Sequence, residues 1–162
     1  MKKNIFILFS ILLFSIMLTS CASNYLSYKQ IIGYTNIKIW MENSGWNNYL
    51  YLNTNFSETE IREFQSFSQG YQYYIFASST CLECAETLPY FFKLLEDANI
   101  AEGNIFLYGL DDYWQEPSGA YKQFKINEIP IVFAVKHDEK KRISKQDFSN
   151  FENLRQIFDG SR

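Results

Sequence analysis

Histidine occurs once in these 162 residues, at position 137, and cysteine three times. A structural zinc site needs four ligands, and Cys81, Cys84, His137 and scattered carboxylates do not supply one by spacing. His137 stands in the charged run HDEKK, where a solvated turn residue is expected. The sequence also lacks a Ser/His/Asp arrangement, a Gly-rich phosphate loop, a nucleotide motif, an internal repeat and a low-complexity tract, so no cofactor and no metal are expected. Positive charge is not in excess: 15 Lys and Arg face 18 Asp and Glu, a net charge of -3, which disfavours nucleic acid as a partner. The apolar run at residues 5–18 is about 14 long, short of the roughly 20 residues that a membrane-crossing helix needs.

That short run has another use. Lys2 and Lys3 precede it and small residues follow it, the layout of an export signal over residues 1–20. Leu18-Thr19-Ser20-Cys21 resembles the lipobox of bacterial lipoproteins, which implies a lipid on Cys21, a lipidated N-terminus and tether over residues 21–35, and a place in the cell envelope on the outer side of a bacterial membrane. The resemblance also resolves an odd cysteine count, since Cys81 and Cys84 then remain as a pair. Without residues 1–20, Lys2 and Lys3 drop from 15 basic residues to leave 13 against 18 acids, and 36–162 is expected to form one domain.

Aromatics are abundant, with 15 Phe and 12 Tyr, enough to bury a sizeable core. Ile37, Ile39 and Met41 alternate and Tyr49 to Leu52 continue an extended pattern, so a strand or hairpin is expected at 37–52. Ser57 and Glu60 form a capping box, with Phe56 and Ile61 as a staple, and Gly70 suits the end of that helix. Residues 71–77 read as a central strand, 88–95 as part of a helix ending near Asn99, 104–110 and 131–135 as strands, and 118–124 as a short helix. A charged turn at 137–141 leads to a short edge strand near Ile143. The chain closes on a helix carrying Phe148, Phe151, Leu154 and Phe158, capped by Asp147 or Ser149. Trp40 and Trp46 are candidates for an exposed partner surface, although aromatics are more often core. Asp111 and Asp112 are expected to cap or to face water. Alternating elements imply parallel pairing, with an antiparallel hairpin at the end.

The stretch STCLECAETLP carries the chemistry. A thiol attacks a disulfide as its thiolate, and Cys81 follows a buried strand at the start of a helix, where unpaired N–H groups and the helix dipole favour an anion. Cys84, within the first turn, can attack a mixed disulfide on Cys81. Such a short loop gives little entropic stabilisation, which argues against a purely structural disulfide.

Strand, Cys-x-x-Cys and helix together resemble the thioredoxin superfamily. Pro89, five residues after Cys84, matches the proline that kinks the family's active-site helix, and YKQFKINEIPIVF at 121–133 is similar to its short helix, Ile-Pro and strand. The resemblance spans roughly residues 36–160. It implies an α/β, thioredoxin-like fold with a central mixed sheet flanked by helices, a cis bond at Ile129-Pro130 facing the cysteines, and backbone bonds from Ile129 to an extended substrate. It further implies a thiol-disulfide oxidoreductase that reduces, forms or isomerises disulfides in exported proteins, together with an upstream redox partner. The chain departs from the family at Leu82-Glu83 in place of Gly-Pro, at Thr80 in place of Trp, and at Ile75 in place of a buried acid. A carboxylate beside Cys81 opposes its thiolate, pointing toward reduction or isomerisation, and Glu83 or Glu86 is a substitute proton acceptor. The alternative is a partner-binding or export-accessory lipoprotein of this fold. A copper chaperone fits less well, since its relatives use a different cysteine spacing and a histidine.

Overall fold

The computed structural model describes residues 29–161; the stretch expected to be an export signal, Cys21 and the expected tether up to residue 28 lie outside them, as does Arg162. Five strands form one mixed sheet in the order β1-β3-β2-β4-β5: β1 Gly33–Thr35, β2 Gln72–Ala77, β3 Ile105–Gly109, β4 Ile131–Lys136 and β5 Glu139–Ser144. Of the pairs in this sheet, β2 with β3 is parallel, while β1 with β3, β2 with β4 and β4 with β5 are antiparallel. The parallel pairing read from alternation therefore holds for one pair, and the final hairpin is as expected. β1 falls within the stretch assigned to the tether.

The strand expected at 37–52 is helical. Asn36 caps α1 (Ile37–Asn43) by accepting from the Ile39 N–H at 2.8 Å. Ile37, Trp40 and Met41 then share one helical face, with Trp40 and Met41 buried and Ile39 outward. The alternation of Ile37, Ile39 and Met41 misled because it skipped Trp40, the residue that the core takes up. Tyr49–Asn53 forms α2, in which Tyr49, Leu50 and Leu52 are exposed while the Tyr51 hydroxyl donates to Glu96 at 2.7 Å. Burial and that bond with Glu96 push the Tyr51 hydroxyl well above its ordinary value.

The capping box of Ser57 and Glu60 opens α3 (Glu58–Ser68), and Gly70 takes a left-handed φ of +81 just after its end. Phe56 packs edge to face on Tyr90, with centroids 4.7 Å apart. After β2, α4 runs from Leu82 to Asp97 with Pro89 buried inside it, and α5 (Ala120–Phe124) precedes β4. The closing helix is two: α6 (Lys145–Phe148), opened by a Ser144 and Asp147 capping box, and α7 (Phe151–Asp159), capped by Asn150. Ser149 and Asn150 separate them, so Asp147 serves as the capping-box acid rather than as the cap itself.

The two faces of the sheet are unequal. One carries the main core, where Phe64, Phe91, Phe92, Phe148, Leu154 and Phe158 pack on strand residues such as Tyr73, Ile75, Leu107 and Val132. The other holds a smaller cluster of Phe76, Ile131 and Phe133 with Ala120 and Leu110, against which Tyr74, Tyr108 and Phe124 pack. Trp40 and Trp46 lie in the main core with rings in edge contact at 5.2 Å, so they are core and not a partner surface. Among the described residues, no helix is long and apolar enough to cross a membrane.

The start of the described chain is held tightly. A side chain at Gly109 would place its Cβ 2.1 Å from the Ile31 carbonyl oxygen and 3.1 Å from the Trp40 ring. Gly109→Ala is therefore expected to cost about 1–3 kcal/mol by overpacking and to lift residues 29–31 off the domain. Urea unfolding and limited proteolysis check this; unchanged stability with unchanged cleavage in that segment would refute it.

Candidate functional site

β2 leaves the sheet at Ala77, whose carbonyl accepts from Leu110 N–H at 2.8 Å, and the chain turns through Ser78, Ser79 and Thr80 into Cys81. The turn is closed by the Cys81 N–H donating to the Ser78 carbonyl at 3.1 Å and by Ser78 and Thr80 hydroxyls 2.9 Å apart. Ser79 is fully buried. Its hydroxyl donates to the Lys29 carbonyl at 2.8 Å and accepts from the Ile31 N–H at 3.0 Å, while its own carbonyl accepts from the Trp46 indole at 2.8 Å.

Cys81 is the N-cap of α4. Its sulfur accepts from the Cys84 N–H at 3.1 Å, and its carbonyl accepts from the Ala85 N–H. The two cysteines are paired as a disulfide, with Cα atoms 5.2 Å apart. They differ in access: Cys84 is fully buried, Cys81 is half-buried, and Leu82 between them is 65% exposed. A sulfur anion at Cys81 would sit where a helix presents an N–H donor and the positive end of its dipole.

The Ile129-Pro130 bond is cis. Phe76 pairs with Ile131 and Gln72 with Val135, so the same register carried one step further sets Pro130 across from Ala77, where the cysteine turn begins. Ile129 is half-buried and packs against both apolar clusters. The structure thus brings Cys81, Cys84 and the Ile129-Pro130 segment to one end of the sheet. Register places His137 at the opposite end, in the exposed turn after β4, with a φ of +51.

The carboxylates are arranged differently from each other. Asp111 accepts from the Tyr113 and Gln115 N–H groups and so caps its own loop. Asp112 is exposed, with one oxygen 3.5 Å from the Thr80 hydroxyl. Glu116 is buried; burial works against its charge, but hydrogen bonds from Ser118, Tyr121 and Ala120 outweigh this and hold it below the usual carboxylate range. Glu86 is exposed. Glu83 is in an ion pair with Lys145 of α6, and that bond raises the Lys145 ammonium above its ordinary value. Ile75, fully buried, fills the position where the resemblance called for an acid.

Three contributors escaped the sequence: Lys145, Ser79 and Trp46. Lys145 had no local signal, because its partner lies 62 residues away. Among the described residues, no group of three or more His, Cys, Asp or Glu side chains is placed to hold a metal ion. The chain matches no protein-family model, no curated protein and no solved structure.

The Glu83–Lys145 pair generates a test. Removing the ammonium with Lys145→Gln leaves a bare carboxylate two residues from Cys81 in the reduced pair, next to Leu82. An exposed pair of this kind is worth a fraction of 1 kcal/mol, so alkylation of the reduced protein by iodoacetamide at neutral pH should slow by roughly two- to threefold. Adding Glu83→Gln should restore the rate. Equal rates in wild type and Lys145→Gln would show that the pair has no influence on the thiols.

Proposed function

We propose that the chain is a membrane-tethered, extracytoplasmic thiol-disulfide oxidoreductase of thioredoxin-like fold. The observation that carries the reading is the asymmetry of the cysteines: Cys81 is accessible at a helix N-cap with a backbone N–H on its sulfur, and Cys84 is buried behind it. The mixed α/β sheet, the cis Ile129-Pro130 bond and its place across from the end of β2 support the same reading.

In the reducing direction the Cys81 thiolate attacks one sulfur of a client disulfide. The client S–S bond breaks, a mixed disulfide forms, and the released client thiolate takes up a proton. Cys84 then loses its proton and attacks the Cys81 sulfur. The bond from Cys81 to the client breaks, releasing the second client thiol, so the client gains two electrons and the enzyme closes its disulfide. A dithiol on an upstream partner returns the pair to the reduced state by the same exchange. Ile129 offers backbone groups to an extended client segment beside Pro130. Since Ile75 supplies no acid and Lys145 occupies Glu83, the Cys84 proton passes to water at the half-buried Cys81 edge. Lys145 partly cancels the Glu83 charge, so that carboxylate does not set the direction of exchange.

Insulin reduction driven by dithiothreitol tests the enzyme claim. Wild type should precipitate the insulin B chain well above the uncatalysed rate, and Cys81→Ser should fall to that background; equal rates in both would end the claim. In cells Cys84→Ser should accumulate mixed disulfides on Cys81. If it captured nothing while Cys81→Ser matched wild type, the partner-binding, export-accessory reading would stand in its place.

A further inference from the structure

Three features converge at the cysteine end of the sheet. The first is the loop after β3, which closes on itself: Asp111 accepts from Tyr113 and Gln115 N–H at 2.9 and 2.8 Å, donates its own N–H to the Gln115 carbonyl at 3.0 Å, and accepts on its carbonyl from Trp114 N–H at 3.0 Å. Trp114 takes a left-handed φ of +60 in this turn. Its product is two aromatic side chains held outward, Tyr113 at 83% and Trp114 at 38% exposure.

The second is Leu82, exposed between the cysteines. Asp112 brings the aromatic loop to the cysteine turn two residues before Leu82, since its Oδ1 lies 3.5 Å from Thr80 Oγ1. The third is the start of the described chain: the same Asp112 oxygen is 3.5 Å from the Gln30 side chain, and Ile32, two residues on, is 48% exposed. A border of Trp, Tyr, Leu and Ile facing outward needs an occupant.

The occupant is indicated by chain length. Cys21 and Lys29 are eight residues apart, a contour of at most about 29 Å, and residues 29–31 are fastened to Ser79, two positions before Cys81. Tryptophan and tyrosine, with an apolar body and a polar tip, favour the membrane–water interface. The geometry points to the bilayer that carries the Cys21 lipid as the partner of this border. The Tyr113-Trp114 loop and Leu82 seat in its headgroup region and hold Cys81 at the membrane surface. This rests on the lipid-anchor reading given above. Asp112 offers nothing to an anionic headgroup, so the contact is apolar in origin and persists in zwitterionic lipid.

The test uses the mature chain from Cys21 with the Cys81–Cys84 disulfide closed, which leaves Cys21 as the sole free thiol. A maleimide lipid couples it to phosphatidylcholine vesicles with or without bromine on the acyl chains. Trp40 and Trp46 are 0% and 4% exposed, so bromine reports on Trp114. Brominated vesicles should remove up to about a third of the emission, the share of one indole in three. Trp114→Phe, with its thermal midpoint unchanged, should abolish that bromine-dependent loss. No loss in wild type, or an equal loss in Trp114→Phe, would overturn the docking. In the producing cell, palmitate label lost in Cys21→Ala tests the anchor separately. Quenching without label would refute the anchor and the proposal with it, whereas label without quenching would refute the docking alone.

Discussion

Position 109 has no room for a side chain, and the cysteine turn depends on it. The backbone of residues 29–31 crosses β3 so closely that a Cβ there would overlap the Ile31 carbonyl. That approach lets Ile31 and Lys29 reach the buried Ser79 hydroxyl, which takes one hydrogen bond and gives the other. Trp46 donates to the Ser79 carbonyl and meets Trp40 edge to face, and Trp40 in turn flanks Gly109. A buried hydroxyl and carbonyl held by three hydrogen bonds fix the local conformation of Ser79. The residue so fixed lies two positions before Cys81, and this is what aims the sulfur into the helix N-cap.

The direction of the strands decides what else gathers there. β2 and β3 run parallel, so the loops that follow them leave the sheet at the same end, the end where open α/β sheets place their sites. The cysteine turn follows β2, the aromatic loop follows β3, and Asp112 meets Thr80 as a result. β4 runs the other way, so its beginning, at Pro130, arrives at that end as well, while its exit carries His137 to the far side. The second face of the sheet has α5 and a row of stacked rings, with Lys140 over Phe124 and Phe133 at 5.9 and 5.1 Å. That face packs the sheet through its own smaller cluster.

Legibility in the sequence followed the range of each interaction. The Ser57 and Glu60 box, the strands at 72–77, 105–109 and 131–136, and the cysteine pair at a helix start rest on residues a few positions apart, and they were readable. Failure came where a period had two solutions. Ile37, Ile39 and Met41 alternate as a strand would, but Asn36 caps a helix and Trp40 has a core to enter. The C-terminal stripe of Phe148, Phe151, Leu154 and Phe158 fitted one helix, yet Ser144 and Asn150 each nucleate their own. Ser79 carries no local signal, since both partners of its hydroxyl lie about fifty residues upstream.

The same limit applies to reading a potential from the two residues between the cysteines. Glu83 taken alone is a negative charge that disfavours a thiolate at Cys81. In the fold it belongs to a pair with Lys145, brought by the short α6 after β5, and the carboxylate's field at the sulfur is partly cancelled by an ammonium on the same side. An exposed pair is screened and weak, so neither charge dominates. The strong local influence that remains is the Cys84 N–H on the Cys81 sulfur, a backbone donor that any dipeptide compatible with the helix would present. A negative sulfur at Cys81 would thus draw its stabilisation from the helix terminus, while Leu82 beside it is exposed apolar surface and Glu83 a tie to α6.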